Sequence, residues 1–197
     1  MKIKRIHNLT PAELNQIINL HYSNLDESFL NNFGKKFLQI CYHVIIKGKN
    51  NICLVLKDHS KIIGFLIATL DGQKFNNEVI SQCFLLLSWE IIKASLRKPQ
   101  LIIKLISWKI KKTIPTKIKP EILFIVVNPK FQGIGLGTKL IKTLGKELSA
   151  NNILQYRVGT KTDNLLSHSF YRKLGFRLAY KDNFFGDNFN YYYSPKF

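Results

Sequence analysis

Seven strand-like segments interleaved with helices make this chain an α/β protein with a central sheet and flanking helices. With 197 residues, 46% of them hydrophobic, there is apolar material for one well-filled core and too little length for two. The steepest pattern is a near-continuous apolar strand, Glu121 to Asn128, that passes through a glycine-rich turn into an amphipathic helix.

The elements follow in order. Lys2 to His7 alternates as a strand, and Thr10, Pro11 and Glu13 then supply a cap, a first-turn proline and a capping-box acid for a helix over Pro11 to Asn24. Phe29, Leu30, Phe33, Phe37, Ile40, Cys41 and Val44 recur at three- and four-residue steps, the stripe of a second helix that runs through Gly34. Asn51 to Leu56 and Ile62 to Leu70 form a hairpin around the polar stretch Lys57 to Lys61. Residues 79–112 are helical in pattern and interrupted at Pro99, an inserted pair within 76–120. After the strand at Glu121 come a helix over Thr138 to Ala150, a strand over 153–160, a helix over 164–174, and strands at Phe176 to Tyr180 and Phe189 to Tyr193.

Composition narrows the chemistry. Thirty Lys plus Arg against twelve Asp plus Glu give a net charge of +18, which favours anionic partners. Nine basic residues and no acid lie between Glu90 and Glu121. Cys41, Cys53 and Cys83 are odd in number and form no CxxC pair, so neither a disulfide framework nor a metal site is expected, and a reducing cytoplasm fits. No apolar run approaches the roughly 18 residues that cross a bilayer. Five arginines and no recognition-helix, RRM or KH pattern argue against nucleic-acid binding.

A strand, a glycine-rich turn and a helix aim backbone amides at phosphate. Here the turn lacks the Gly-Lys-Ser/Thr ending of a P-loop, and glycines 133, 135 and 137 do not give GxGxxG. Alone, the turn fits either a phosphate cradle or a plain flexible connection.

Its surroundings decide. The string Val127-Asn128-Pro129-Lys130-Phe131-Gln132-Gly133-Ile134-Gly135-Leu136-Gly137-Thr138 resembles the acetyl-coenzyme A segment of the GNAT N-acetyltransferases, with the signature Gln/Arg-x-x-Gly-x-Gly/Ala after a strand. A second GNAT-like segment follows, from Asn164 through Phe170 to Tyr171-Arg172-Lys173-Leu174-Gly175-Phe176. The resemblance covers nearly the whole chain except the insert, and implies a mixed, mostly antiparallel sheet in one domain over 1–197. The insert gives a more distant likeness to members from bacterial surface-glycan and amino-sugar pathways.

By this resemblance, the chain transfers acetyl from acetyl-coenzyme A to a primary amine without metal, by direct attack in a ternary complex. Gln132, Gly133, Ile134, Gly135, Leu136, Gly137 and Thr138 would cradle the pyrophosphate. The backbone of Val126 and Val127, with Asn164, would hold the pantetheine arm. Tyr171 is the candidate acid for the leaving thiolate, as a phenol of matched basicity. Glu121 is the candidate base, at the strand position where several GNAT enzymes carry a glutamate, with a solvated strand-start Glu as the plain alternative. The acceptor expected is a small anionic amine, an amino sugar or nucleotide-linked amino sugar. Protein or peptide N-termini, antibiotics and polyamines are the alternatives, and a non-catalytic acyl-coenzyme A sensor is the reading from another class. The basic segment 91–119 is open to three roles: attracting an anionic acceptor, peripheral contact with anionic membrane, or a lid with solvated lysines.

Overall fold

A computed structural model describes residues 1–25, 28–75, 82, 88–101, 103, 116–184 and 186–196. The strands are β1 (Lys2–Ile6), β2 (Asn51–Asp58), β3 (Lys61–Thr69), β4 (Glu121–Val127), β5 (Arg157–Lys161), β6 (Arg177–Phe184) and β7 (Asp187–Tyr193). The helices longer than one turn among the described residues are α1 (Pro11–Asn24), α2 (Gly34–Lys47), α3 (Ser88–Arg97), α4 (Leu136–Ser149) and α5 (Leu165–Lys173). One seven-stranded sheet runs β1-β2-β3-β4-β5-β7-β6. Its pairs are antiparallel except β4 with β5.

Both faces of the sheet are covered, which is why β2 and β3 read as continuous apolar runs rather than alternating ones. Cys53, Val55, Phe65, Ile67 and Val126 point to α1 and α2. Ile52, Leu54, Leu66, Ile122 and Val158 point to α4 and α5. The α1 start is as the sequence predicts: Thr10 Oγ1 accepts from Glu13 N, and Glu13 Oε2 accepts from Thr10 N.

Strand β6 runs on to Phe184, past the expected Tyr180, and α4 starts at Leu136 rather than Thr138. Two further boundaries differ for reasons the contacts show. The stripe from Phe29 to Val44 is split, because Gly34 takes φ +85° and separates a 3₁₀ turn, Phe29–Phe33, from α2. The strand expected over 153–160 begins only at Arg157. Ile153 N instead closes the end of α4 on Leu148 O, and Tyr156 N donates to Ser194 Oγ. Of the helical pair expected over 79–112, α3 is helical as expected, Gln100, Leu101 and Ile103 beyond Pro99 are helical too, and the rest of the second helix lies outside the described residues.

The chain leaving β3 and the chain entering β4 meet at one point on the sheet. Gly72 N donates to Lys119 O at 2.9 Å, Lys119 Nζ pairs with Asp71 Oδ2 at 3.7 Å, and Thr116 Oγ1 lies 3.0 Å from Tyr193 Oη.

Candidate active site

The site grows from a defect in β4. Ile67 stands opposite Phe124 while Ala68 stands opposite Ile122, so Leu123 is an extra, bulged residue. Parallel pairing with β5 is confined to Glu121 with Arg157 and Ile122 with Val158. Beyond the bulge the strands separate, leaving one edge of β4 open.

Asn128 N donates to Ile63 O at 2.8 Å, and strand residues alternate their backbone groups between edges. Val126 therefore turns its amide and carbonyl to β3, whereas Ile125 and Val127 turn theirs to the opening. Of the two valines expected to hold a pantetheine arm, Val127 faces the opening and Val126 does not. Ile125, which the sequence did not single out, faces the opening as Val127 does.

Val127 leads into the glycine turn. Gln132 braces it: its Nε2 donates to Val127 O at 2.8 Å and its amide to Pro129 O at 3.2 Å. Gly133 and Gly135 have φ of +80° and +83°, conformations that favour glycine, and a Cβ on either would meet nothing within 4 Å. Lys139 N, donating to Gly135 O, is the first amide satisfied within α4. Among the described residues no acceptor takes the amides of Gly133 to Thr138. These open, unpaired donors at the positive end of a helix fit a pyrophosphate, and the free β4 edge fits an amide-bearing arm, so the residues suit coenzyme A. Gly137 has a different role: a Cβ there would stand 3.2 Å from the Phe170 ring, so the glycine lets α5 pack close against α4.

On α5, Asn164 is the cap, its Oδ1 accepting from Ser167 N at 3.0 Å. Tyr171 is buried among Phe170, Phe176 and Tyr192, in the cluster that contains Ile122 and Val158. Burial pushes its phenol above the usual range, with nearby Tyr156 adding to the shift.

Glu121 lies on the other face of the sheet, opposite Tyr171. It is paired rather than solvated: Arg157 Nε and Nη2 both donate to its Oε2, at 2.9 and 2.6 Å. Burial raises the carboxyl above its ordinary value, and the Arg157 charge opposes that rise. Arg157 Nη1 donates to Tyr180 Oη at 2.8 Å, and the guanidinium lies 5.6 Å from the Tyr191 ring centre. Tyr180 and Tyr191 stack at 4.7 Å and 8°. Arg157, Tyr180 and Tyr191 escaped the sequence reading. Their signal was one arginine inside the otherwise uncharged stretch ILQYRVGT, with one glutamate opening the apolar strand it would pair with.

The buried histidines are structural. His168 Nε2 donates to Thr162 O at 3.1 Å, so Nδ1 accepts from Tyr192 Oη at 3.0 Å. His21 is 2.6 Å from Tyr42 Oη and its imidazole is pushed down to about 4 by burial. Cys41 and Cys53 are buried thiols that form no disulfide. Among the described residues no cluster of three or more His, Cys, Asp or Glu could hold a metal ion, and no helix is long and apolar enough to cross a membrane.

Solved structures share this architecture. The PaiA N-acetyltransferase of Thermoplasma acidophilum, in complex with coenzyme A, is 17% identical with TM-score 0.58, all of each chain being covered. An aminoglycoside 6'-acetyltransferase type Ii is 14% identical with TM-score 0.61 over 99% of this chain and 97% of that one. The ribosomal-protein-S18-alanine N-acetyltransferase of Escherichia coli is 14% identical with TM-score 0.56 over 99% and 93%. No curated protein sequence matches the chain. The family model for acetyltransferases of the GNAT family matches residues 17–176. That span takes in the bulged strand, the glycine turn and the tyrosine helix together, and the chain belongs to the GNAT family of acetyl-coenzyme A-dependent N-acetyltransferases.

Proposed function

We propose that this chain acetylates the primary amine of a small anionic molecule, an amino sugar or nucleotide-linked amino sugar, by direct attack in a ternary complex. The observation that carries this reading is the gap between β4 and β5, with Tyr171 on one face of the sheet and Glu121 beside a tyrosine ledge on the other.

Acetyl-coenzyme A supplies an activated thioester carbonyl. The amides of Gly133, Ile134, Gly135, Leu136, Gly137 and Thr138 hold its diphosphate, and Ile125 and Val127 hold its amide arm along the open edge. Asn164 adds its side-chain Nδ2. At neutral pH an alkylamine is mostly protonated, so a base must free its lone pair. Glu121 accepts that proton at Oε1, and Tyr171 Oη gives a proton to the departing sulfur. The second N–H proton, shed by the adduct, passes through solvent to restore the phenol, so one proton is released per turnover at Glu121. A phenol raised by burial is a poorer acid, but a thiolate in the same dry surroundings is raised as well, so the two stay matched.

The acceptor class rests on two features. The Tyr180 and Tyr191 rings form an aromatic ledge beside the Glu121–Arg157 pair, suited to a planar or ring-shaped acceptor. The +18 charge suits its phosphates. A peripheral contact with anionic lipid is a second reading, favoured by Ile92 and Leu96, which lie one turn apart on α3, 49% and 80% exposed, beside Arg97 and Lys98.

The test is thiol release with acetyl-coenzyme A against amino sugars, nucleotide-linked amino sugars, polyamines, aminoglycosides and peptide N-termini, with and without anionic vesicles. Nucleotide-linked amino sugars should give the highest kcat/KM. A preference for peptides or polyamines overturns the acceptor class, and calorimetric cofactor binding without thiol release from any amine favours a sensor. Sedimentation with anionic but not zwitterionic vesicles would support the lipid contact, and its absence removes it.

A further inference from the structure

We propose that Arg157 is a positioning residue for the proton-accepting step: its guanidinium pins Oε2 of Glu121 and leaves Oε1 as the single oxygen turned to the acceptor. This rests on reading Glu121 as the base.

The geometry differs from the usual fork, in which two parallel N–H groups each take one carboxylate oxygen. Here Nε at 2.9 Å and Nη2 at 2.6 Å converge on the same oxygen. No donor from the described residues reaches Oε1. Arg157 is itself immobilised: its side chain is 5% exposed, Nη1 is bound by Tyr180 Oη, and Tyr191 lies against the guanidinium with its ring stacked on Tyr180. The backbone seals the bound side. A Cβ at Gly72 would run into Glu121 Oε2 and stand 2.9 Å from Arg157 Nη2, so the turn after β3 fits over the pair only as glycine. Gly72 is held there by its bond to Lys119 O.

This arrangement answers a physical difficulty. A buried carboxylate without a partner takes up a proton and ceases to be a base, while a two-oxygen fork would draw on both oxygens and leave neither wholly to the amine. One pinned oxygen keeps the group anionic and aims the other. Among the described residues, the titratable and charged groups around Glu121 are Arg157 on β5, Tyr180 on β6, Tyr191 and Tyr193 on β7, the Asp71–Lys119 pair, and, behind Tyr191, Asp182 on β6. Of these, Arg157 alone bonds the carboxylate.

The test combines kcat/KM against pH with carboxyl NMR of protein labelled at its glutamates, the Glu121 signal being the one lost in Glu121→Gln. In Arg157→Gln the signal should titrate at higher pH, and the acidic limb of kcat/KM should move up with it. Arg157→Lys, which keeps the charge and so protects the fold, should leave the limb in place while lowering kcat about tenfold or more through lost orientation, with acceptor KM and acetyl-coenzyme A affinity little changed. A purely structural pair would lower thermal stability and shift the Glu121 titration in Arg157→Gln, because the neighbouring charge is gone either way. It would leave the acidic limb of kcat/KM where it was, and an unmoved limb overturns the proposal. Wild-type kinetics in Arg157→Lys overturns it also, and decides alone if Arg157→Gln does not fold. Persistence of the acidic limb in Glu121→Gln instead overturns Glu121 as base, a failure separable from that of Arg157 because the carboxyl titration is read without turnover.

Discussion

Tyr171 is held by its surroundings rather than by any charge. Burial among Phe170, Phe176 and Tyr192 raises its phenol, so the hydroxyl stays protonated at neutral pH, as the proposed role of proton donor requires. Tyr171→Phe removes that proton and keeps the ring packing. Turnover should fall roughly 10²-fold, the lower range for a lost general acid, while acetyl-coenzyme A affinity measured by calorimetry changes little. Equal rates for the two proteins would place the acid elsewhere. The place of Tyr171 on α5 was legible because it sits in a contiguous motif whose order along the chain is its order in space. Arg157 was not, because its meaning depends on Glu121, Tyr180 and Tyr191, which only the sheet brings together.

Single elements show the same division between local and distant causes. The start of α1 was legible in Thr10, Pro11 and Glu13, since every partner lies within one turn. The delayed start of β5 was not, since Ile153 to Tyr156 carry a strand-like pattern and find partners in α4 and the chain terminus instead of a neighbouring strand. Glu13 also has a distant partner: Lys57 on β2 reaches its Oε1. The Lys57 hydrogen bond and then the Thr10 amide pull the Glu13 carboxyl down to about 2. Because this lies below the unfolded value of about 4.3, the interaction stabilises the fold above that pH and is lost as pH falls toward 2. Glu13→Gln keeps a capping-box acceptor and removes the charge. Its urea midpoint should lie below wild type at pH 7 by an equivalent of about 0.5–1 kcal/mol, and the two should converge near pH 2. A gap that persists at pH 2 would show that the cap, not the ion pair, carries the difference.

For the molecule as a whole, the consequential feature is how little backbone joins the two halves of the sheet. Strands β1 to β4 and strands β5 to β7 meet through two residue pairs, after which the bulge at Leu123 sends β4 away from β5. The residual join is reinforced by the Glu121–Arg157 pair on one face and by the Ile122, Val158 and Tyr171 packing on the other. The count and order of strands could be read from the sequence, but the gap could not, because a one-residue bulge leaves the apolar pattern of EILFIVVN unchanged. A ligand arm lying in that gap acts as a short extra strand and bonds the outward amides of β4. Hydrogen exchange should therefore slow at Ile125 and Val127 when acetyl-coenzyme A is added, whereas Val126, already bonded to β3, should exchange slowly with or without it. The protection should follow cofactor occupancy and disappear in Gly135→Asp, which sets a carboxylate against the diphosphate and should not bind. Uniform slowing along all of β4 would mean that the cofactor only stabilises the fold globally, and no change at Ile125 and Val127 would mean that the arm lies outside the gap.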